Sequence, residues 1–412
     1  MKTVALITEY NPFHFGHLYH LNMAKELTNA THSMCIMSSS FVQRGEPAIV
    51  DKWSRAKMAI ENGIDLVIEL PYLSSVQTAE LFAYGSVRIL EELNVVDYLA
   101  FGSELGELDI LKEIANVLVE EPFYFKKELK ANLSRGTSYP ISRNIAIMNY
   151  FSDVYSVEIS DILNNANNIL AVEYLKALRK LKSNIKPITI KRRGHNYNDT
   201  SISNGYASAS AIRKHIFDKG LHDSFNLVPE NTFVILEQFL KEHKTFNKLD
   251  NYYAILNYLL INTNSEDLKK QFDIKDGLEN RIIEKSFNSK SYEELIGTIA
   301  SKTHTRSRIR RALLQLILNT KKEDIDNYFA STPKYIRVLG ANQKGFELLK
   351  KINDVSNLIV LNKFSDYKKI DILKNDISIK KEILATNIYY YGLCPLQPII
   401  NKDFQTTPYT TK

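Results

Sequence analysis

Near its start the chain reads Val4-Ala5-Leu6-Ile7-Thr8-Glu9-Tyr10-Asn11-Pro12-Phe13-His14-Phe15-Gly16-His17. A short β-branched apolar run ends in a polar loop, and His-x-Gly-His then stands where a helical pattern begins. Strand, loop and helix in that order open a βαβ unit. With 9 His and 15 Gly in 412 residues, composition alone gives His-x-Gly-His roughly 0.007 times per chain, so the spacing needs a physical reason. Gly16 lets backbone approach a phosphate, the helix start offers free N–H groups, and two imidazoles can donate to phosphoryl oxygens as charge develops. The alternative is a pair of histidines that merely cap a helix.

Moving outward, further apolar runs at Met34–Met37, Leu66–Leu70 and Tyr98–Phe101 are each followed by a loop and a helical pattern. The expected fold is therefore α/β, a doubly wound parallel-sheet, Rossmann-like nucleotide-binding domain over residues 1–225. Ligands in such sheets bind beyond the carboxyl ends of the strands, near the point where strand order reverses. The segments Glu9–His17, Ser38–Pro47, Pro71 and Gly102–Glu104 fall there. A helix is expected across Asn168–Leu181, a strand at Ile188–Lys191 and a helix at Ala211–Asp218. Beyond Val228 the pattern turns to helical stretches such as Tyr253–Leu260 and Ile309–Leu318, so 226–412 reads as a mostly helical domain with a frayed tail.

Composition excludes several classes. The chain has 53 Lys+Arg against 47 Asp+Glu, 44% hydrophobic residues and two cysteines. That is too apolar for a disordered protein. Cys35 and Cys394 make neither a disulfide framework nor a metal knuckle; they read as buried small hydrophobes in a reducing cytosol. No apolar run suggests export or a membrane span. A net charge of +6 is mild, yet it is unevenly spread. Eight Lys/Arg between Lys176 and Arg193, and seven between Lys302 and Lys322, are unaccompanied by any acid. In the second run Arg306 and Arg310, and Arg308 and Arg311, share helical faces beside the apolar Leu313–Leu318, an expected footprint for a nucleic-acid backbone. A plain solvated helix face is the alternative.

Other segments bear on chemistry. Ser208-Ala209-Ser210-Ala211-Ile212-Arg213 places hydroxyls at a helix start and an arginine one turn in, suited to clamping phosphates, though an ordinary N-cap looks the same. Asn167-Asn168 could cap a helix or read a ribose or base edge. Arg192 and Arg193 end a strand where guanidinium groups could hold phosphates bidentately. Trp53, Tyr72 and Phe82 read as core rather than stacking platforms.

Glu9–His17, Phe41-Val42-Gln43-Arg44-Gly45-Glu46-Pro47-Ala48, Asp65–Pro71, Phe101–Glu104, Asn167–Leu170, Ser208–Arg213 and Thr305–Arg311 together resemble the tRNA(Met) cytidine acetate ligase family, within the HIGH nucleotidylyltransferase superfamily. The resemblance covers nearly the whole chain. It implies that ATP, accompanied by Mg2+, and acetate form acetyl-adenylate, and that the acetyl group passes to the wobble cytidine of elongator tRNA(Met). The implied ATP site comprises Ile7, Thr8, Glu9, Tyr10, Asn11, Pro12, Phe13, His14, Phe15, Gly16, His17, Leu18, Tyr19 and His20, with Gly102, Asn167, Arg192 and Arg193. His14 and His17 would stabilise the transition state, and Ser208, Ser210 and Arg213 would hold the pyrophosphate. Lys302, Arg306, Arg308, Arg310 and Arg311 would meet the tRNA. Ser39-Ser40 and Ala166 depart from the family pattern, and the first leaves the acetate pocket open. A small-substrate nucleotidylyltransferase and a non-catalytic RNA-binding protein are the rival readings.

Overall fold

The computed structural model describes residues 1–155, 159, 162–192, 207–301, 303–394, 396 and 399–411. Ten strands are placed among them: β1 Thr3–Thr8, β2 His32–Ser38, β3 Phe41–Val42, β4 Glu46–Pro47, β5 Leu66–Leu70, β6 Tyr98–Ser103, β7 Lys186–Lys191, β8 Tyr335–Ala341, β9 Ile359–Leu361 and β10 Tyr409–Thr410. All but β3 and β4, which form a small antiparallel ribbon, join one sheet in the order β10-β8-β5-β2-β1-β6-β7, with β9 also on β8. β1, β2, β5, β6 and β7 run parallel. The register sets Thr8 beside Met37 and Gly102 beside Ile190, so the loops after β1, β6 and β7 open on one edge. The chain winds outward from β1 through β2 to β5, then returns to β6 on the other side. The reversal of order therefore falls between β1 and β6.

These strands read as unbroken apolar runs because both faces are covered. Ala5, Met34, Ile36 and Leu66 pack into the core on one face. Leu6, Cys35, Met37 and Val67 face a second core, which continues through Tyr252, Ile309 and Tyr389. The helical half thus shares its core with the sheet, and it supplies β8, antiparallel to β5, with β9 and β10. The division expected at 225/226 does not coincide with an edge of the sheet or of the core. Nor is the tail frayed: Tyr409 and Thr410 pair with Gly340 and Ala341.

A buried ionic network fastens the C-terminal segments. Lys52 Nζ lies 2.6 Å from Glu69, 3.0 Å from Glu382 and 2.9 Å from Asp403. Arg337 also meets Glu69 and Asp403, and the Tyr72 N–H donates to Glu382 at 2.7 Å. Glu69 comes from β5, Arg337 from β8, Glu382 from the helix Ile377–Leu393 and Asp403 from the helix Lys402–Gln405. Trp53, Tyr72 and Phe82 are core residues, as expected, and so is Cys35. Cys394, expected to be buried, is exposed because it terminates the Ile377–Leu393 helix at the surface.

Candidate active site

A cavity of about 690 Å³ opens at the ends of β1, β6 and β7, at the reversal of strand order. Ile7, Thr8, Glu9, Tyr10, Asn11, His14, Gly16, His17, Tyr19 and His20 line it from the first strand and helix. Gly102, Asn167 and Arg192 line the far wall, and Ser208 and Arg213 a third side. Pro12 and Phe13 are buried beneath the wall, and Phe15, Leu18 and Ser210 stand off it, with the Ser210 hydroxyl 3.1 Å from that of Ser208. Arg193 and Lys302 lie outside the described residues.

His14 is the N-cap of the helix Phe15–Thr28, and its Nδ1 accepts the Gly16 N–H at 3.0 Å. A Cβ on Gly16 would stand 2.8 Å from the imidazole Cε1, so the glycine is needed for the cap itself. Because Nδ1 accepts, the neutral ring carries its proton on Nε2. The His14 and His17 rings stack with centroids 3.7 Å apart. Burial, reinforced by Arg192 and Arg213, pushes His14 down to about 3. Burial, then His14, Arg192 and His20, hold His17 well below the ordinary imidazole range. Burial and Arg192 bring His20 to about 4. All three are therefore neutral donors at physiological pH, aligned one turn apart on one helix face. Asn11 Nδ2, His17 Nδ1 and His20 Nε2 are buried without a hydrogen-bond partner, while Asn11 Oδ1 is taken by the Ile49 N–H at 2.8 Å. Buried polar atoms left over in this way are ones a ligand would satisfy.

The backbone around the helix start is held by a buried arginine. Arg55 is fully buried; its Nη1 donates to the Glu9 carbonyl at 2.7 Å and the Ser38 carbonyl at 2.9 Å, and its Nη2 to Ser39. It thus ties the ends of β1 and β2 together. Tyr10 adopts φ +46° in this turn, a left-handed conformation costly for a bulky residue and concentrated at functional sites.

On the far wall Glu104, not the Asn pair, caps the helix Ala166–Lys180. Its Oε2 accepts the Asn168 N–H at 2.8 Å and its Oε1 the Asn167 side chain at 2.6 Å. Asn168 replies by accepting the Glu104 and Leu105 N–H groups at 2.9 and 3.1 Å. Asn168 is thereby a buried lock, and Asn167 is left on the cavity, its Oδ1 accepting from Arg192 at 3.3 Å. Sequence reasoning gave Gln43, Arg44 and Glu104 only as loop residues at the ligand edge, and it missed Tyr174 and Ser307, which also line the cavity. Tyr174 looked like any helical aromatic, and Ser307 was hidden among arginines.

The basic helix proves to be Arg306–Ile317, and carboxylates from distant segments meet its arginines. Arg308 pairs with Asp273 at 3.1 Å and Asp276 at 3.7 Å, Arg306 pairs with Glu293, and Arg310 with Glu46 and Glu293. Arg311 is buried, 3.7 Å from Asp273, and lines the cavity with Ser307. In the first acid-free run Lys176 meets Glu80 and, on its own helix, Glu173, Lys180 meets Glu80, and Arg179 meets Glu120. No described helix is long and apolar enough to cross a membrane.

A family model described as HIGH Nucleotidyl Transferase matches residues 1–400. A tRNA(Met) cytidine acetate ligase of Thermoanaerobacter sp. (strain X514) is 45% identical over 94% of this chain and 95% of its own length. One from Clostridium perfringens is 41% identical over 99% of each. Crystal structures of Thermotoga maritima TmcAL superpose with TM-score 0.94 at 34% identity and, in the form bound with alpha-thio ATP, 0.92 at 33%; each match covers 100% of this chain and 99% of the other.

Proposed function

The chain belongs to the HIGH nucleotidyl transferase family, among its tRNA(Met) cytidine acetate ligases, and from that premise we infer that it activates acetate with ATP and acetylates the wobble cytidine of elongator tRNA(Met) to N4-acetylcytidine. An acetate oxygen attacks the α-phosphorus of ATP, the bond to the bridging oxygen breaks, and pyrophosphate leaves. The exocyclic amine of the cytidine then attacks the acyl carbon of acetyl-adenylate, loses a proton and expels AMP.

The observation that carries this reading is the meeting of neutral imidazoles and arginines in a nucleotide-sized cavity at the strand-order reversal. His14, through Nε2–H, and His17 donate to the α-phosphoryl oxygens without exchanging protons, so the site acts by positioning and preorganised dipoles. Ser208, Ser210 and Arg213 hold the pyrophosphate. Gly102, Asn167 and Arg192, with Arg193, take the rest of the nucleotide. Mg2+ would accompany the phosphates of ATP.

Lys302, Arg306, Arg308, Arg310 and Arg311 are assigned to the tRNA. Ser307 and Arg311 belong to the cavity wall, so RNA drawn along this helix would bring a splayed base to the adenylate, its phosphates replacing the carboxylates that hold the arginines. A small-substrate nucleotidylyltransferase would give this helix no reason to form part of the wall. ATP and tRNA place the reaction in the cytoplasm. Purified protein incubated with ATP and labelled acetate, with and without tRNA, should release pyrophosphate in an acetate-dependent way and label the tRNA cytidine; absence of acetate-dependent release would overturn the reading.

A further inference from the structure

Three segments far apart in sequence meet at one carboxylate beside the cavity. Glu46 Oε2 accepts from Arg213 Nη2 at 3.1 Å, and Glu46 Oε1 from Arg310 Nη1 at 2.5 Å. The other terminal nitrogen of Arg213 donates to the Asn11 carbonyl at 2.9 Å, beside the His-x-Gly-His turn. Arg310 Nη2 reaches both oxygens of Glu293 at 3.3 Å. The backbone is equally close: at Gly45, φ +77°, a Cβ would stand 2.6 Å from Arg311 N and 2.7 Å from Arg310 C. The Gln43–Glu46 turn therefore lies backbone against backbone on the Arg306–Ile317 helix.

We propose that Glu46 is a positioning residue that couples polyphosphate binding at Arg213 to the placement of the Arg306–Ile317 helix. The inference rests on the function proposed above. Side chains of Glu46, Arg213 and Arg310 are each 19% exposed, so their charges meet where water screens them poorly. A polyphosphate and Glu46 are both anionic acceptors for the same guanidinium and compete for it. When Arg213 turns to phosphate, Glu46 is left to Arg310, and the helix that carries Arg306 and Arg311 is drawn tighter to the turn. The coupling is reciprocal: whatever engages Arg310 returns Glu46 to Arg213.

Competition fixes the signs. Glu46→Gln removes the competing charge, so ATP should bind about fivefold or more tightly, while multiple-turnover acetylation of tRNA slows because pyrophosphate is held longer. Arg310→Gln gives Glu46 wholly to Arg213, so ATP should bind correspondingly more weakly. Calorimetric ATP affinity of the full chain reads both signs, alongside kcat for tRNA acetylation and a thermal melt. Opposite shifts support the coupling. Shifts in the same direction, or none, overturn it and leave Glu46 a structural residue. If Glu46→Gln does not fold, Arg310→Gln alone decides: weaker ATP binding supports the proposal, unchanged or tighter binding overturns it. Wild-type protein that binds ATP yet shows no acetate-dependent pyrophosphate release would instead overturn the proposed function, and the ATP affinities would still report on the coupling.

Discussion

Two buried polar clusters are built into the same sheet on opposite principles. Around Lys52 and Arg337, three carboxylates meet two cations at the junction of β5, β8 and the C-terminal helices. Around His14, His17 and His20 the groups are neutral, crowded by arginines, and several polar atoms have no partner. Charges that answer one another fix which segments pack together. Polar atoms buried without an answer are maintained because something else completes them. The first cluster is architecture and the second is what we propose as the receptor.

The largest separation of the two should come from breaking the first. Lys52→Met leaves Glu69, Glu382 and Asp403 buried with Arg337 as their only cation in the network, and unfolding in urea should show a loss of about 3–5 kcal/mol. The folded fraction should bind ATP as before; a change in ATP affinity would mean that the clusters are not separate. The converse change is His14→Ala. Losing a preorganised donor should cut acetate-dependent pyrophosphate release by about 10²–10³-fold, whereas losing the helix cap costs only about 1 kcal/mol of stability. His14→Ser retains a cap and should recover the stability without the rate. Equal recovery of both would reduce His14 to a capping residue.

The receptor was more legible in the sequence than the architecture. His14, Gly16 and His17 announced themselves because local spacing places them: a strand must end and a helix begin within a few residues. Ser208 at its N-cap was readable for the same reason. The Lys52 network was invisible, since Glu69 looked like one acid in an apolar strand and the groups that complete its pair with Lys52 lie more than 260 positions further along, at Arg337, Glu382 and Asp403. The antiparallel β8 was missed because Tyr335–Ala341 follows a run of helices and its place in the sheet depends on β5, not on its neighbours in sequence. The surroundings of the basic stretches were hidden for a related reason. An acid-free sequence says nothing about acids delivered by other segments, and Asp273, Glu293 and Glu46 are such deliveries. Asn168 was read as a ligand contact or a cap, yet it locks the Phe101–Glu104 loop, a contact that spans 64 residues.

The clusters should also tilt the pH dependence of stability in opposite senses. Burial, with Glu69 and Asp403 outweighing Lys52, raises the Glu382 carboxyl from 4.5 to about 8. The folded chain thus keeps a proton that the unfolded chain has lost; this stability is complete below about pH 4.5 and disappears as pH rises through about 8. The histidines act the other way. Unfolded imidazoles protonate at 6.5, whereas His14 and His20 do so only near 3 and 4; their contribution is complete above about 6.5 and is lost as pH falls through those values. Glu382→Gln should flatten the alkaline decline in thermal melts and leave the acid limb unchanged. An unaltered alkaline limb would show that another group of the network holds the proton.

The smallest effect on stability should come from Arg306, and it tests whether the ion-paired helix serves the receptor or the architecture. Its pair with Glu293 is about half exposed on both sides, and pairs of that kind contribute about 0–1 kcal/mol. Arg306→Ala should therefore leave the melting curve almost unmoved. If the guanidinium exchanges Glu293 for an RNA phosphate, tRNA binding should weaken similarly for all sequences, and its logarithmic salt slope should fall by about one counterion. Arg308 and Arg311 would be poorer probes, because both meet Asp273 and Arg311 is buried, so their loss would mix folding with binding. A salt slope unchanged in Arg306→Ala would move Arg306 from the receptor side of the comparison to the architectural one.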